Sequence, residues 1–118
     1  MPQEDTHGTD HAVDLSSGAG SGPLWGMAST DLNATLLAWP AGHAIAAHVN
    51  DDLDVLLVVV AGSVTVTIGD TPHDLRAPAA LLIPRGEQRA IRAGADGTRY
   101  LSVHRRRGRL QITPAAAG

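Results

Sequence analysis

The sequence predicts an all-β domain, on three observations. Short apolar segments alternate with clusters of Gly, Pro, Asn, Asp and Ser along most of the 118 residues. The stretch Val-Thr-Val-Thr-Ile at 64–68 alternates strictly between apolar and polar, the period of a strand with one buried face. No stretch sustains an apolar repeat of 3.6 residues between capping residues, so helix is not expected.

Taken in chain order, residues 1–22 are rich in Gly, Ser, Asp and Thr and carry few large apolar side chains. They cannot bury enough surface to offset the entropy of ordering, so a flexible acidic tail is expected. His7 and His11 lie in it and read as solvated tail residues. From Pro23 onward the strand pattern begins, at Leu32–Trp39, 43–49, 55–60, 64–68, Ala79–Ile83, 89–93, 99–104 and 110–113. Turn clusters separate these segments at 40–42, 50–52, 61–63, 69–72, 84–86, 94–97 and 107–108. The run 55–60 is apolar on both faces, as in a central strand covered on each side. Strands at this spacing imply a sandwich or barrel. The ordered domain is expected over 23–113, with a short C-terminal tail at 114–118.

Composition removes several classes of function. There is no cysteine, so disulfides, thiolate metal sites and Cys nucleophiles are excluded. All nine basic side chains are arginine, which removes Schiff-base chemistry and the P-loop lysine. Trp25, Trp39 and Tyr100 are the only aromatics, too few for a platform that stacks single-stranded nucleic acid. Charge is unevenly distributed: residues 1–75 hold ten acidic side chains and no arginine, whereas 76–118 hold all nine arginines against Glu87 and Asp96. The run Arg105-Arg-Arg-Gly-Arg109 comes with no nucleic-acid-binding motif, and the overall pI is near 6.0, so no nucleic-acid partner is expected. A fold that brings distant strands together would instead pair early aspartates with late arginines. The longest apolar run is too short to span a bilayer and the acidic N-terminus lacks a secretory pattern, so no membrane association and a cytoplasmic location are expected.

Two motifs carry a more specific reading. Gly42 is followed after five residues by His48-Val49-Asn50, with Gly62 closing the segment, and later comes Pro84-Arg85-Gly86 followed after two residues by Arg89. In this order, on a strand-rich chain, they resemble the two motifs of the cupin superfamily, and the resemblance spans about 25–112. It implies an antiparallel jelly-roll β-barrel, and small cupins usually form homodimers. Metal-binding cupins take two histidines and a glutamate from the first motif and a histidine from the second. Here only His48 matches; Asn50, Val55 and Arg89 occupy the other slots, and Asp54 stands one residue from the glutamate position. A guanidinium is not a ligand for a divalent cation and would repel it. No cofactor is therefore expected; a divalent metal would need a rebuilt set such as His48, Asp54 and His104, with Asp52 or His43 as substitutes.

The resemblance directs His48, Asn50 and Arg89 into one cavity. Arg supplies a planar fork for carboxylate or phosphate, and Asn and His add donors and acceptors. The expectation is a barrel that binds a small anionic metabolite without the usual metal centre. Arg89 could alternatively be satisfied inside the barrel by Asp52 or Asp54. Tyr100, Ser102 and His104 share one strand face, inward or outward; if inward, Tyr100 and His104 join the ligand site, and His48 and His104 are the candidate catalytic bases. A metal-dependent oxygenase or isomerase with an unorthodox ligand set, and a non-catalytic structural or regulatory barrel, are the alternatives. Trp39, preceding Pro40, reads as barrel packing.

Overall fold

The computed structural model describes residues 11–106, and these form seven strands and no helix: β1 (Gly22–Ala28), β2 (Leu32–Trp39), β3 (Ala44–Val49), β4 (Val55–Ile68), β5 (Thr71–Arg76), β6 (Ala79–Ile83) and β7 (Gln88–Arg105). Every pairing is antiparallel. β4 and β7 run against each other for most of their length, from Val55 opposite His104 to Ile68 opposite Arg89. One half of this ribbon is flanked by β2 and β6, with β1 outside β2; the other half is flanked by β3 and β5.

The ribbon folds over at its middle, and glycine makes the fold possible. Register shifts fall between Val59 and Ala61 and between Gly62 and Val64. Extra residues of this kind bend a strand and sharpen its twist. Gly62 and Gly97 adopt φ of +69° and +78°, and a Cβ built on Gly62 would fall far inside van der Waals contact with the carbonyl oxygen of Gly97. Only a residue without a side chain fits there.

This bend corrects the sequence reading in two places. The sequence separates 55–60 from 64–68 and 89–93 from 99–104, but the structure carries single strands through 61–63 and 94–97 as bulges. Gly, Ser and Asp mark a break in the pattern, and here the break is a bend inside a continuous ladder rather than a turn. The sequence also places a turn at 69–72, whereas β5 already begins at Thr71. Pro72 fits because β5 ends the sheet order, where a missing N–H is tolerated. β1 is a further strand that the sequence pattern did not mark. The segment 110–113, His7 and the end of the arginine run lie outside the described residues.

Folding the ribbon over brings apolar side chains from both halves together. Leu57 and Val59 precede the bend, Val64 and Val66 follow it, and Ile83 and Tyr100 complete the buried cluster. Each such side chain contributes roughly 1.5–3 kcal/mol on burial. Residues directly opposed in an antiparallel pair share a face. The rows Leu37–Tyr100–Val59, Thr35–Ser102–Leu57 and Asn33–His104–Val55 are therefore all on the inner face.

The N-terminal segment is tied to the outside of the ribbon by Arg99, which donates to the carbonyls of Leu15, Ser17 and Gly18. Asp14 closes the turn there through the Ser16 N–H and hydroxyl, and those bonds, helped by Arg99, hold its carboxyl below the ordinary value. Arg92 and Arg106 likewise donate to the carbonyls of Gly42 and Ser29. These three late arginines donate to main-chain acceptors, and of the early aspartates Asp14 also feels the charge of Arg99. A guanidinium with five donors suits irregular backbone, where carbonyls lie off the sheet ladder.

Candidate functional site

The ends of β4 and β7 meet at the open end of the folded ribbon, where two loops are stitched together. In 50–54, the Asn50 Oδ1 accepts the N–H groups of Asp52 and Leu53 at 3.0 and 3.1 Å. This Asx turn buries Leu53. The Asn50 carbonyl accepts the Gly86 N–H at 2.8 Å, and Asp54 Oδ1 accepts the Arg85 N–H at 2.8 Å. The turn Pro84-Arg85-Gly86 is thus held from the side by the loop that precedes β4.

Arg89 follows that turn and is only 4% exposed. It stands directly opposite His48 on β3 and Ile68 on β4. Its Nε donates to the Glu87 carbonyl at 3.0 Å and its Nη2 to the Pro84 carbonyl at 3.2 Å. Burial pushes the guanidinium below its ordinary value, and the Glu87 charge works the other way. His48 shares the row with Arg89 but is exposed, with Nδ1 3.1 Å from the Ala46 carbonyl.

The opposite wall supplies further polar groups. His104 is half-buried on the inner face, which answers the question of orientation that its strand left open. Its Nδ1 lies 3.0 Å from the Arg105 carbonyl. Asn33, Thr35 and Ser102 share that face and are also half-buried. A groove of about 470 Å³ runs along β1 and β2, lined by Leu24, Trp25, Gly26, Met27, Asn33 and Thr35 among others. The interior is consequently polar toward the strand ends and apolar toward the bend.

Tyr100 belongs to the apolar part. It is buried in the core cluster, and its Oη accepts the Trp39 indole N–H at 3.0 Å. Trp39 in turn stacks on His43, ring centroids 4.2 Å apart and planes within 5°. The structure thus brings His48 and Arg89 together, sets His104 on the facing wall, engages the Asn50 oxygen in its own loop and places Tyr100 deeper. Burial pushes the Tyr100 hydroxyl upward from 10.0, against the Trp39 bond that lowers it. A raised folded value keeps the phenol protonated while the unfolded chain ionises, so this contribution to stability is intact below about pH 10 and falls above it. Tyr100→Phe is expected to cost about 1–2 kcal/mol in urea denaturation, because the indole N–H loses its acceptor. It should also abolish the elevated phenol titration, followed by its ultraviolet absorbance.

Comparison with known proteins follows the fold. No protein-family model matches the chain, and no curated protein does. Solved structures do. TT1209 from Thermus thermophilus superposes with a TM-score of 0.71 at 23% identity, over 84% of this chain and 100% of that one. The Cnp3 cupin domain of Schizosaccharomyces pombe gives 0.62 at 19% identity, over 75% and 64% of the two chains. A cupin-2 domain protein from Shewanella frigidimarina gives 0.59 at 18% identity, over 67% and 74%. The chain has the cupin fold.

Set in that fold, the donor set does not fit the metal centre of metal-binding cupins. His48 is kept, but Arg89 brings a buried cation to a ligand position and Val55 brings an aliphatic side chain to another. Asn50 spends its oxygen on two N–H groups. The rebuilt set fares no better: Asp54 is bonded to Arg85, and His43 is stacked on Trp39. Among the described residues, no three His, Cys, Asp or Glu side chains come close enough to hold a metal ion. Among them too, no helix is long and apolar enough to cross a membrane.

Sequence reasoning missed Asn33 and Thr35 as inner-face residues. The signal was there: in Leu32–Trp39, positions 33, 35, 37 and 39 read Asn, Thr, Leu, Trp, one face passing from polar to apolar.

Proposed function

We propose that this cupin-fold chain binds a small anionic metabolite between its two walls at the open end of the barrel, within the cytoplasm. The observation that carries the reading is Arg89, an arginine residue only 4% exposed on the inner face. Two of its bonds go to main-chain carbonyls, and the rest of the five-donor fork can serve a carboxylate or phosphate. Across from it, Asn33, Thr35, Ser102 and His104 offer hydrogen-bonding groups for the other polar atoms of the same ligand. His48 stands at the rim, where an exposed imidazole can close over it. Association of two copies of the chain belongs to the same reading.

The test is calorimetric titration with acetate, lactate, malate, citrate and inorganic phosphate. At least one is expected to bind saturably, more weakly as salt rises. His48→Ala should weaken that ligand about 2- to 10-fold, the value of one neutral hydrogen bond, with the melting temperature unchanged. Heats no different from dilution across the whole panel would overturn the reading.

A further inference from the structure

β1 is an edge strand with a hollow along it. Among the described residues it pairs with β2 alone, so its other side presents main-chain groups to no strand. An edge of this kind is a template for a further strand unless something covers it. The hollow has a simple cause. Thr35 and Asn33 stand on the inner face of β2, and the residues opposite them on β1 are Gly26 and Ala28. A Cβ built on Gly26 would meet only the Ala34 carbonyl oxygen, at 3.7 Å. The missing bulk contributes to the groove of about 470 Å³, where Leu24, Trp25 and Met27 are half-buried. Arg106 delivers the chain to one end of this groove. Its N–H donates to the Asp31 carbonyl at 2.7 Å and its Nη1 to the Ser29 carbonyl at 3.0 Å, which pins it to the turn between β1 and β2. Leu32 stands at the same turn, 55% exposed and opposite Arg105.

We infer that residues 110–113 of this same chain are the occupant, added antiparallel to the free edge of β1 with Leu110 and Ile112 in the groove. Direction supports this. β1 and β7 are each antiparallel to β2, so a chain that leaves Arg106 and reverses at Arg107-Gly108 runs antiparallel to β1. Glycine at 108 suits such a reversal. Spacing agrees as well. Leu110 and Ile112, two residues apart, point to one side of a strand, as do Ala28 and Gly26. Leu110 then falls beside Ala28 and Ile112 beside Gly26, bulk against hollow. Pro114, which has no N–H to pair, falls opposite Leu24, at the irregularity between Pro23 and Trp25. Reach is ample: Ala28 to Pro23 spans roughly 17 Å, and residues 107–118 extend to about 40 Å. Attachment in one chain supplies an effective concentration of about millimolar, so a weak contact suffices. Arg107 and Arg109 pass the turn where Asp31 is exposed, and their charges suit it.

The experiment is amide hydrogen exchange of the full chain, wild type against the double variant Leu110→Asp and Ile112→Asp, at several protein concentrations. The β1 amides that point away from β2 are expected to exchange about 10-fold or more slowly in the wild type, at a rate independent of concentration. β5, an edge strand far from Arg106 in the sheet order, should exchange alike in both proteins. Equal exchange of β1 in the two proteins overturns the docking, and so does a loss of protection shared equally by β1 and β5. Protection of β1 that grows with concentration assigns the edge to a second copy and overturns docking within the chain. Should the variant not fold, a nitroxide on Gln111→Cys decides, in a chain that has no other cysteine. Broadening of β1 resonances ahead of β5 supports the docking, and broadening of both alike or of neither overturns it.

Discussion

Gly62→Ala is expected to cost about 4 kcal/mol, a large part of the stability of a domain this size. Two terms add at this position. A φ of +69° costs an L-residue roughly 1–2 kcal/mol through contact between its Cβ and the neighbouring carbonyl. Beyond that, the new Cβ would fall far inside van der Waals contact with the Gly97 carbonyl oxygen, which is backbone and cannot swing aside. Relief requires β4 and β7 to separate at the point where both change direction, and the core cluster spans that point with Leu57 and Val59 on one side and Val64 and Val66 on the other. Gly42→Ala is the control: it has a similar φ of +74° but open space around the new methyl. It should show the backbone term alone, about 1–2 kcal/mol. Urea denaturation of the two variants measures the difference. Equal losses would mean that the close approach of β4 and β7 contributes nothing to the bend.

The same bend shows why the fold class was legible in the sequence while the strand boundaries were not. Alternation at 64–68 reports which face of β4 is buried, whereas the run at 55–60, apolar on both faces, buries Leu57 and Val59 and leaves Leu56 exposed on the other side. Glycine and serine at 61–63 report only that regular pairing is disturbed. Whether the disturbance ends the strand or bends it depends on what lies opposite, and Gly97 is 35 positions away in the chain. β5 escaped notice for a similar reason, since Pro72 argues against a strand except at an edge, and edge position is a tertiary fact.

The site divides along the same line. The two motifs located His48 and Arg89 correctly as neighbours, because motif spacing encodes the register of β3 on β7. Asn50 is different. Its carboxamide oxygen serves the Asp52 and Leu53 N–H groups, and its place in an Asn-Asp-Asp turn is a local signal that pointed there. The orientation of His104 could not be read from β7 alone, since alternation gives two faces without saying which is inside. The pairing of His104 with Val55, one turn of the pleat from buried Leu57, decides it.

Arg89→Met should separate binding from folding. The substitution keeps much of the length of the side chain and removes a charge that burial already disfavours. Replacing a buried cation by an apolar group of similar shape is often neutral or stabilising. Against this stand two lost bonds, to the carbonyls of Glu87 and Pro84, each worth about 1 kcal/mol. The terms oppose, so the melting temperature without ligand should move by only a few degrees. Ligand binding has no such compensation. A carboxylate desolvated between the walls would lose its buried cation, and breaking such a pair costs about 3–5 kcal/mol, or roughly 100- to 5000-fold in affinity. The expected result is therefore a folded variant whose melting temperature no longer rises with the acid that stabilises the wild type. Arg89→Lys should recover part of that response, since charge is restored without the planar fork. If instead Arg89→Met melts far below the wild type and no acid stabilises either protein, the guanidinium serves the Pro84 turn, and the polar strip formed by Asn33, Thr35, Ser102 and His104 must answer to an uncharged ligand.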